Sequence, residues 1–294
     1  METPPSSPSS SKLVVPKKSR SSLKVLLRKK TAISGIVIIL AVLVFISVGP
    51  FLDPYSPTAI AGDFNSPPSL AHPFGTDYNG HDLLSQIVWG AYPSLGVALE
   101  VAVGSVLLGF FAGVVGGYFD KVGGFVAGLT DVTLTFPVLP IIILIASLFI
   151  ATDQLISLLL ISFFWAPVAR AVRAQVLSVK KMTFVDAAKI NGMGDLNVML
   201  RVVAPEVASL GVAYFIINVS IGVILVTALQ FLGVGDPNIV SWGSTLYWAQ
   251  QFGFDYGDWW WILEPGIIIS IVATGFALVG FSIEEVMNPR LRTK

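Results

Sequence analysis

The chain has no cysteine, only two histidines and little charge: Asp, Glu, Lys and Arg make up 12% of its 294 residues, about half the share found in an ordinary soluble domain. Without cysteine there are no disulfides, thiolate metal sites or thiol nucleophiles, and His72 and His81 alone cannot furnish a histidine-rich metal centre. No GxxxxGK(S/T) string occurs, so ATP is not bound by a phosphate-cradling loop of that kind. The 18 basic and 18 acidic residues cancel, which argues against a nucleic-acid partner, since that needs a clustered basic surface. What the chain has in quantity is apolar side chain, 54% of the total. Such a composition suits a bilayer.

Reading from charge to charge exposes the spans. Thr31 to Leu52 is uncharged and, at about 1.5 Å per residue, long enough to cross a hydrocarbon core of about 30 Å. A second apolar stretch runs from about Leu95 to Tyr118, interrupted by Glu100; a third begins near Val122, carries Asp131 and continues uncharged from Val132 to Thr152. The fourth covers Gln154 to Ala169, the fifth fills the gap between Glu206 and Asp236, and the sixth the gap between Glu264 and Glu284. The expected fold class is an all-α polytopic membrane protein with six transmembrane helices.

Sorted by position, the basic residues separate completely. Eight precede the first span, Lys121 lies between spans two and three, six fall from Arg170 to Arg201, and three follow the last span. None lies in Pro50 to Ser94, around Asp153, or in Leu232 to Leu263. The positive-inside rule makes the basic side cytoplasmic and places both termini there. A missed or invented span would break the alternation from that point on, so the pattern tests the count as well as the orientation.

Residues 1–23 are Ser/Pro-rich and expected to be a disordered cytoplasmic tail. Residues 24–52 hold the N-terminal segment and first helix, read as an uncleaved anchor because no small-residue cleavage site follows Val48. An extracytoplasmic segment covers 53–90, a five-helix domain 91–286 with a long inside loop at 174–205, and a short cytoplasmic tail 287–294. In the first outside segment His72, Asp77, His81 and Asp82 invite a metal reading, but the intervening Pro and Gly residues make polar ties within a loop the better one. In the second, Trp242, Tyr247, Trp248 and the run Trp259 to Trp261 read as an interfacial belt ahead of a sugar-stacking surface. Gly109, Gly113 and Gly117 recur every fourth residue and suggest close helix packing.

Between spans four and five, residues 168–207 form a loop that reads as helices. Phe184, Ile190 and Met193 mix with polar residues at helical intervals, Gly192 and Gly194 interrupt the run, Asp195 is a plausible cap for a second short helix, and Pro205 is expected to end that helix. Two short helices under a membrane domain suit a docking surface; a solvated loop is the plainer alternative. The string Asp186-Ala187-Ala188, followed by Gly192 and Pro205, resembles the EAA loop of binding-protein-dependent ABC importer permeases. Residues 72–95, 129–139, 230–246 and 288–292 resemble, in order, the dipeptide/oligopeptide/nickel branch of that family, in its second-permease type.

The resemblance implies the type I ABC importer transmembrane fold. It also implies a second homologous permease subunit, two ATP-binding subunits that hold ATP and Mg, an extracytoplasmic solute-binding protein, and the cell membrane of a prokaryote as location. No cofactor is expected in this chain, and ATP hydrolysis is expected in its partners. Coupling to the ATPases would fall to Phe184, Asp186, Ala187, Ala188, Gly192, Met193, Asp195 and Pro205. Asp186 stands where the family usually has Glu, and Glu264 where it commonly has an apolar residue; Glu264 is expected to face water at the outer surface, with contact to substrate as the alternative. Within the spans, Glu100 and Asp131 are ionisable groups that would belong to the translocation path, or be paired or nearer an interface. Pro137 and Pro140 are expected to break span three, as at a gate. The expected cargo is peptides, with oligosaccharides as the alternative; a secondary transporter is the rival class, but no internal repeat supports it.

Overall fold

The computed structural model describes residues 26–52, 55–149, 151–253 and 257–287. The tail 1–23, the terminal segment after Met287 and the basic residues within them lie outside the described residues. Ten helices are labelled here in chain order: α1 (Lys30–Leu52), α2 (Leu83–Tyr118), α3 (Asp120–Thr135), α4 (Val138–Leu148), α5 (Asp153–Val179), α6 (Thr183–Ile190), α7 (Asp195–Val198), α8 (Ala204–Phe231), α9 (Trp242–Trp248) and α10 (Trp259–Met287). Two π turns, Met199–Val203 and Ala249–Gly253, join α7 to α8 and follow α9. Helices α1, α2, α5, α8 and α10 are each long and apolar enough to cross a membrane. The pair α3 and α4, bent by 80° at its junction, makes a sixth, broken span, the number the charges predict.

Two helices outrun their apolar stretches. α2 begins at Leu83, well before Leu95, because the Asp82 side chain accepts from the Ser85 N–H at 2.8 Å and caps the helix. Its 36 residues extend about 54 Å, more than a hydrocarbon core needs. α5 continues past Ala169 to Val179, since nothing from Arg170 onward breaks a helix. Span three bends for a local reason. Pro137 takes the N-cap position of α4, while Pro140 sits in the first turn, where its missing N–H has no intrahelical partner to lose. The expectation that both prolines break the span is therefore corrected: the break is at Phe136–Pro137 alone.

Close packing sets the frame. A methyl group placed on Gly109, Gly113 or Gly117 of α2 would stand 2.6, 2.7 and 2.7 Å from the Cβ atoms of Val168, Val172 and Val176 on α5. The stripe of three glycines thus seats a ridge of three valines, the small-residue approach that helices use where no water drives association. Hydrogen bonds bring in α8: its Asn218 Nδ2 donates to Ser105 Oγ of α2 at 2.8 Å, and its Ser220 Oγ donates to the Ala273 carbonyl of α10 at 2.7 Å. α1 lies antiparallel against α10 through Gly35 and Gly275. Thr31 and Ser282 hydroxyls meet at 2.9 Å, and Lys29 pairs with Glu285 at 2.6 Å. The first and last described helices therefore start and finish at the same end of the bundle, as an even number of spans requires.

Replacing Gly113 by Leu should separate α2 from α5, at a cost of about 3 kcal/mol or more from overpacking. The expected result is a lower melting temperature of the detergent-solubilised protein, whereas Gly124→Leu, at a position with open space around it, should leave melting unchanged.

Candidate functional site

At the basic end of the bundle, α6 is held by one side chain. Val185 is fully buried in a cluster with Val176, Val179, Val198, Met199 and Val203, and Ala188 packs partly against it. The rest of the helix faces outward: Asp186 and Ala187 are exposed, as are Phe184, Ile190 (84%), Met193 and Leu196. The helix ends in a Schellman arrangement. Met193 N–H donates to the Ala188 carbonyl at 3.2 Å and Gly192 N–H to that of Lys189 at 3.0 Å, with Gly192 at φ +82°. Nothing lies within 4 Å of a Cβ built on Gly192, so glycine is required there by backbone conformation and not by space.

A polar knot fixes this segment to the long helices. Tyr118, the last residue of α2, donates its hydroxyl to Asp195 Oδ1 at 2.7 Å, and Lys189 Nζ approaches the same oxygen at 3.3 Å. Lys180, just past α5, donates to the Tyr118 carbonyl at 2.7 Å and to Asp120 of α3 at 3.1 Å. Asp195 is thus not a side-chain cap: Gly194 occupies that position, and the carboxylate is spent on Tyr118. Nor does Pro205 end the second short helix. α7 runs through the π turn into α8, where the Ala204 N–H reaches back to the Met199 carbonyl. This shift of the hydrogen-bond ladder precedes the missing donor of Pro205, which lies in the first turn of α8.

The candidate path residues are not brought together. Asp131 is exposed on α3 and ion-paired to Arg170 of α5, at the basic end. Glu100 is also exposed and lies within electrostatic reach of Asp153, in the first turn of α5, and of the same acidic rim as Asp236. Arg170 and Asp153 are about 25 Å apart along α5 at 1.5 Å per residue. The two carboxylates thus sit near opposite ends of the bundle, one paired and one near an interface, with Pro137 at the bend and Pro140 within α4 between them.

At the acidic end, polar ties hold a cap. His72 Nδ1 lies 2.8 Å from Asp82 Oδ1, and His81 Nδ1 lies 2.8 Å from Asp77 Oδ2. Asp77 also accepts from the backbone N–H groups of Asn79 and His81 and from Gln86 Nε2. These bonds tie the loop together, as the polar-tie reading expects. Among the described residues the outer aromatics do not form a belt; Phe254 and Tyr256, read with them, lie outside the described residues. Trp242 and Trp261 are fully buried, Trp260 nearly so, and Trp259 alone of the run is exposed at 62%. Trp242 Nε1 donates to the Ile87 carbonyl at 2.9 Å, and Tyr78 stacks on Phe252 at 4.3 Å and on Trp261 at 5.8 Å, joining the two outer segments through a core of their own. Glu264 does not face water as expected: it is half-buried, with Oε2 sealed and unpartnered. Asp258 is buried with Oδ2 equally unpartnered, and burial pushes its carboxyl up from the usual range.

The site residues missed from sequence are Val185, Tyr118 and Lys180. A valine two residues from either end of the otherwise exposed helical turn 183–187 gave no clear signal, whereas a tyrosine closing an apolar run was the one available.

Comparison with known proteins places these features in context. Residues 105–293 match the family described as binding-protein-dependent transport system inner membrane component, and residues 19–73 match the N-terminal transmembrane domain of oligopeptide transport permease C. A putative peptide transport system permease protein of Brucella suis is 30% identical over 92% of this chain and 91% of its own length. The dipeptide transport system permease of Bacillus subtilis is 29% identical over 90% of this chain and 83% of its own length. An oligopeptide transport system permease of Haemophilus influenzae is 29% identical over 90% of this chain and 86% of its own.

Two substitutions probe these sites. Gly192→Ala should cost about 1 kcal/mol through its left-handed backbone and show as faster hydrogen exchange confined to α6, with no change in the membrane helices. For Asp258 the folded carboxyl is raised, so its penalty is absent below the unfolded value and grows as pH rises through the folded one. Asp258→Asn should therefore raise the melting temperature near pH 7 and leave it unchanged near about pH 4.

Proposed function

Because the chain belongs to the family of binding-protein-dependent transport system inner membrane components, we propose that it is one permease subunit of an ATP-driven peptide importer in a prokaryotic cell membrane. In this reading the basic end faces the cytoplasm, with both termini. A second permease completes the path, two ATP-binding subunits hold ATP and Mg beneath the pair, and a soluble binding protein delivers cargo to the acidic end. The observation that carries the reading is α6 with the turn and α7 after it: an outward apolar face of Phe184, Ile190, Met193 and Leu196, pinned by Val185, at the end that holds the basic residues.

Such a face suits a cleft in a cytoplasmic partner. A push on α6 passes through Val185 and through the Tyr118–Asp195 bond to α2 and α5, which the glycine-valine seam makes one body. Packed interfaces of this kind shift between discrete arrangements rather than deform. The bend at Phe136–Pro137 is where the path wall can pivot. Peptides are favoured as cargo because the relatives are named as peptide, dipeptide and oligopeptide permeases. Oligosaccharides are not favoured, since the relatives are named as peptide permeases and, of the aromatics that would stack on sugars, Trp242 and Trp261 are buried in the cap.

Ala188→Trp should lift α6 from its seat and Phe184→Glu should spoil the docking face. Each should reduce ATP-dependent peptide uptake by about tenfold or more, the weight of one interface anchor, with the subunit still present in the membrane. Full uptake by both variants would overturn the coupling role.

A further inference from the structure

A buried carboxylate at the acidic end has no partner in the fold. Asp258 directly precedes α10, where an Asp side chain ordinarily caps the first turn. Its main chain is committed: the N–H donates to the Gly253 carbonyl at 3.1 Å, and the carbonyl accepts from the Trp261 N–H at 3.2 Å. Its side chain is not. Only 4% of the residue is exposed, and among the described residues no donor reaches the carboxylate. Leaving such a group sealed and unpaired destabilises the fold unless something bound supplies the missing donor, and burial accordingly holds this carboxyl above its usual range.

Asp258 lines a cavity of about 350 Å³ together with Gly253, Gly257, Trp259, Ile262 and Leu263, a volume within the span of about 300–1,000 Å³ usual for ligand sites. The other lining side chains are two aliphatic groups and an indole, so a water there would lack the several polar partners that hold a buried water. The cavity continues onto the exposed face of the span. Trp259, Leu263, Ile267 and Ile271 are exposed along α10, and Gly266 among them has open space around it, which leaves an apolar strip that starts at the cavity and runs into the membrane.

Charge selects the occupant. No Lys or Arg occurs from Pro50 to Ser94 or from Leu232 to Leu263, so a purely anionic headgroup finds no counter-charge here and meets carboxylates instead. A quaternary ammonium carries charge but no N–H, whereas a primary ammonium donates the hydrogen bonds that the Asp258 oxygens lack. We infer that the cavity is a site for an aminophospholipid in the leaflet at the acidic end: its primary ammonium pairs with Asp258, the exposed indole of Trp259 lies at headgroup level, and an acyl chain follows Leu263, Ile267 and Ile271. The inference rests on α10 crossing the membrane and not on the importer reading.

The test uses the full-length protein, purified with the subunits that accompany it, in nanodiscs of phosphatidylglycerol mixed equally with phosphatidylethanolamine or with phosphatidylcholine. The wild type should melt about 3 °C or more higher with phosphatidylethanolamine. Asp258→Asn, which needs no counter-ion, should melt alike in both discs. So should Ile262→Trp, which fills the cavity and keeps the carboxylate. A wild type indifferent to headgroup, or a phosphatidylethanolamine advantage that survives Asp258→Asn, overturns the lipid site. A third arm adds a dipeptide, with its amino terminus free or acetylated, to the phosphatidylcholine discs. Stabilisation of the wild type by the free form, with none from phosphatidylethanolamine, assigns Asp258 to cargo and overturns the lipid site as well. The importer reading stands or falls on uptake, which these melts do not measure.

Discussion

The seam between α2 and α5 is the contact on which the rest depends. Glycine at three successive fourth positions removes every side chain from one face of α2, and Val168, Val172 and Val176 fill the space. In a bilayer no hydrophobic effect drives helix against helix, so stability comes from contact area and from the few hydrogen bonds buried with it. The interlock also fixes axial register. With Gly117 set against Val176, Tyr118 falls beside Lys180 and within reach of Asp195, and at the far end Glu100 comes near Asp153. A slip of one turn would move each of these by about 5.4 Å and undo both ends.

Polar chemistry is sorted to the two ends, and it differs in kind. At the basic end ion pairs and one buried tyrosine join segments through exposed carboxylates: Asp131 with Arg170, Lys189 and Tyr118 with Asp195, Lys180 with Asp120. Exposed pairs contribute little to stability, so this end is tied in place without being locked, while Val185 supplies the apolar anchor. At the acidic end Asp77 and Asp82 are almost fully buried, and their oxygens are filled by imidazole, amide and backbone donors. Removing one partner from a buried network costs far more than breaking a surface pair. The cap is therefore the stiffer of the two ends.

Much of this could be read from the residues, and the failures share one cause. Span number and the segregation of basic residues followed from hydropathy and charge, which report the environment of whole segments. Gly109, Gly113 and Gly117 read as a packing face, and α2 uses them so. Errors arose where a residue has two possible partners and tertiary context chooses. Pro205 has the form of a helix stop, yet a π turn absorbs it. Asp195 has the form of a cap, yet Tyr118, distant in sequence, takes its oxygen. Tryptophans near a membrane end read as a belt; Trp242 and Trp261 instead form the core of a cap that only two loops folded together create. Composition cannot tell an aromatic that faces lipid from one that faces another loop.

Stiffness at the seam and weakness elsewhere decide how a force applied to α6 can travel. Val185 and the Tyr118–Asp195 bond pass it to α2 and α5 together, and because a methyl on any of the three glycines would already collide with valine, those helices have no room to slide closer and must move as one piece. α3 and α4 differ: α3 meets α5 through the exposed Asp131–Arg170 pair, α4 packs Ile142 and Ala146 against Ile156 and Leu160 of α5, and the two are separated from each other by an 80° bend at a proline. Breaking an exposed pair and turning about an existing bend cost far less than disrupting close-packed helices. Under the coupling role proposed above, motion driven from the basic end would turn the broken span about its existing bend, with the buried polar cap at the opposite end as the fixed edge.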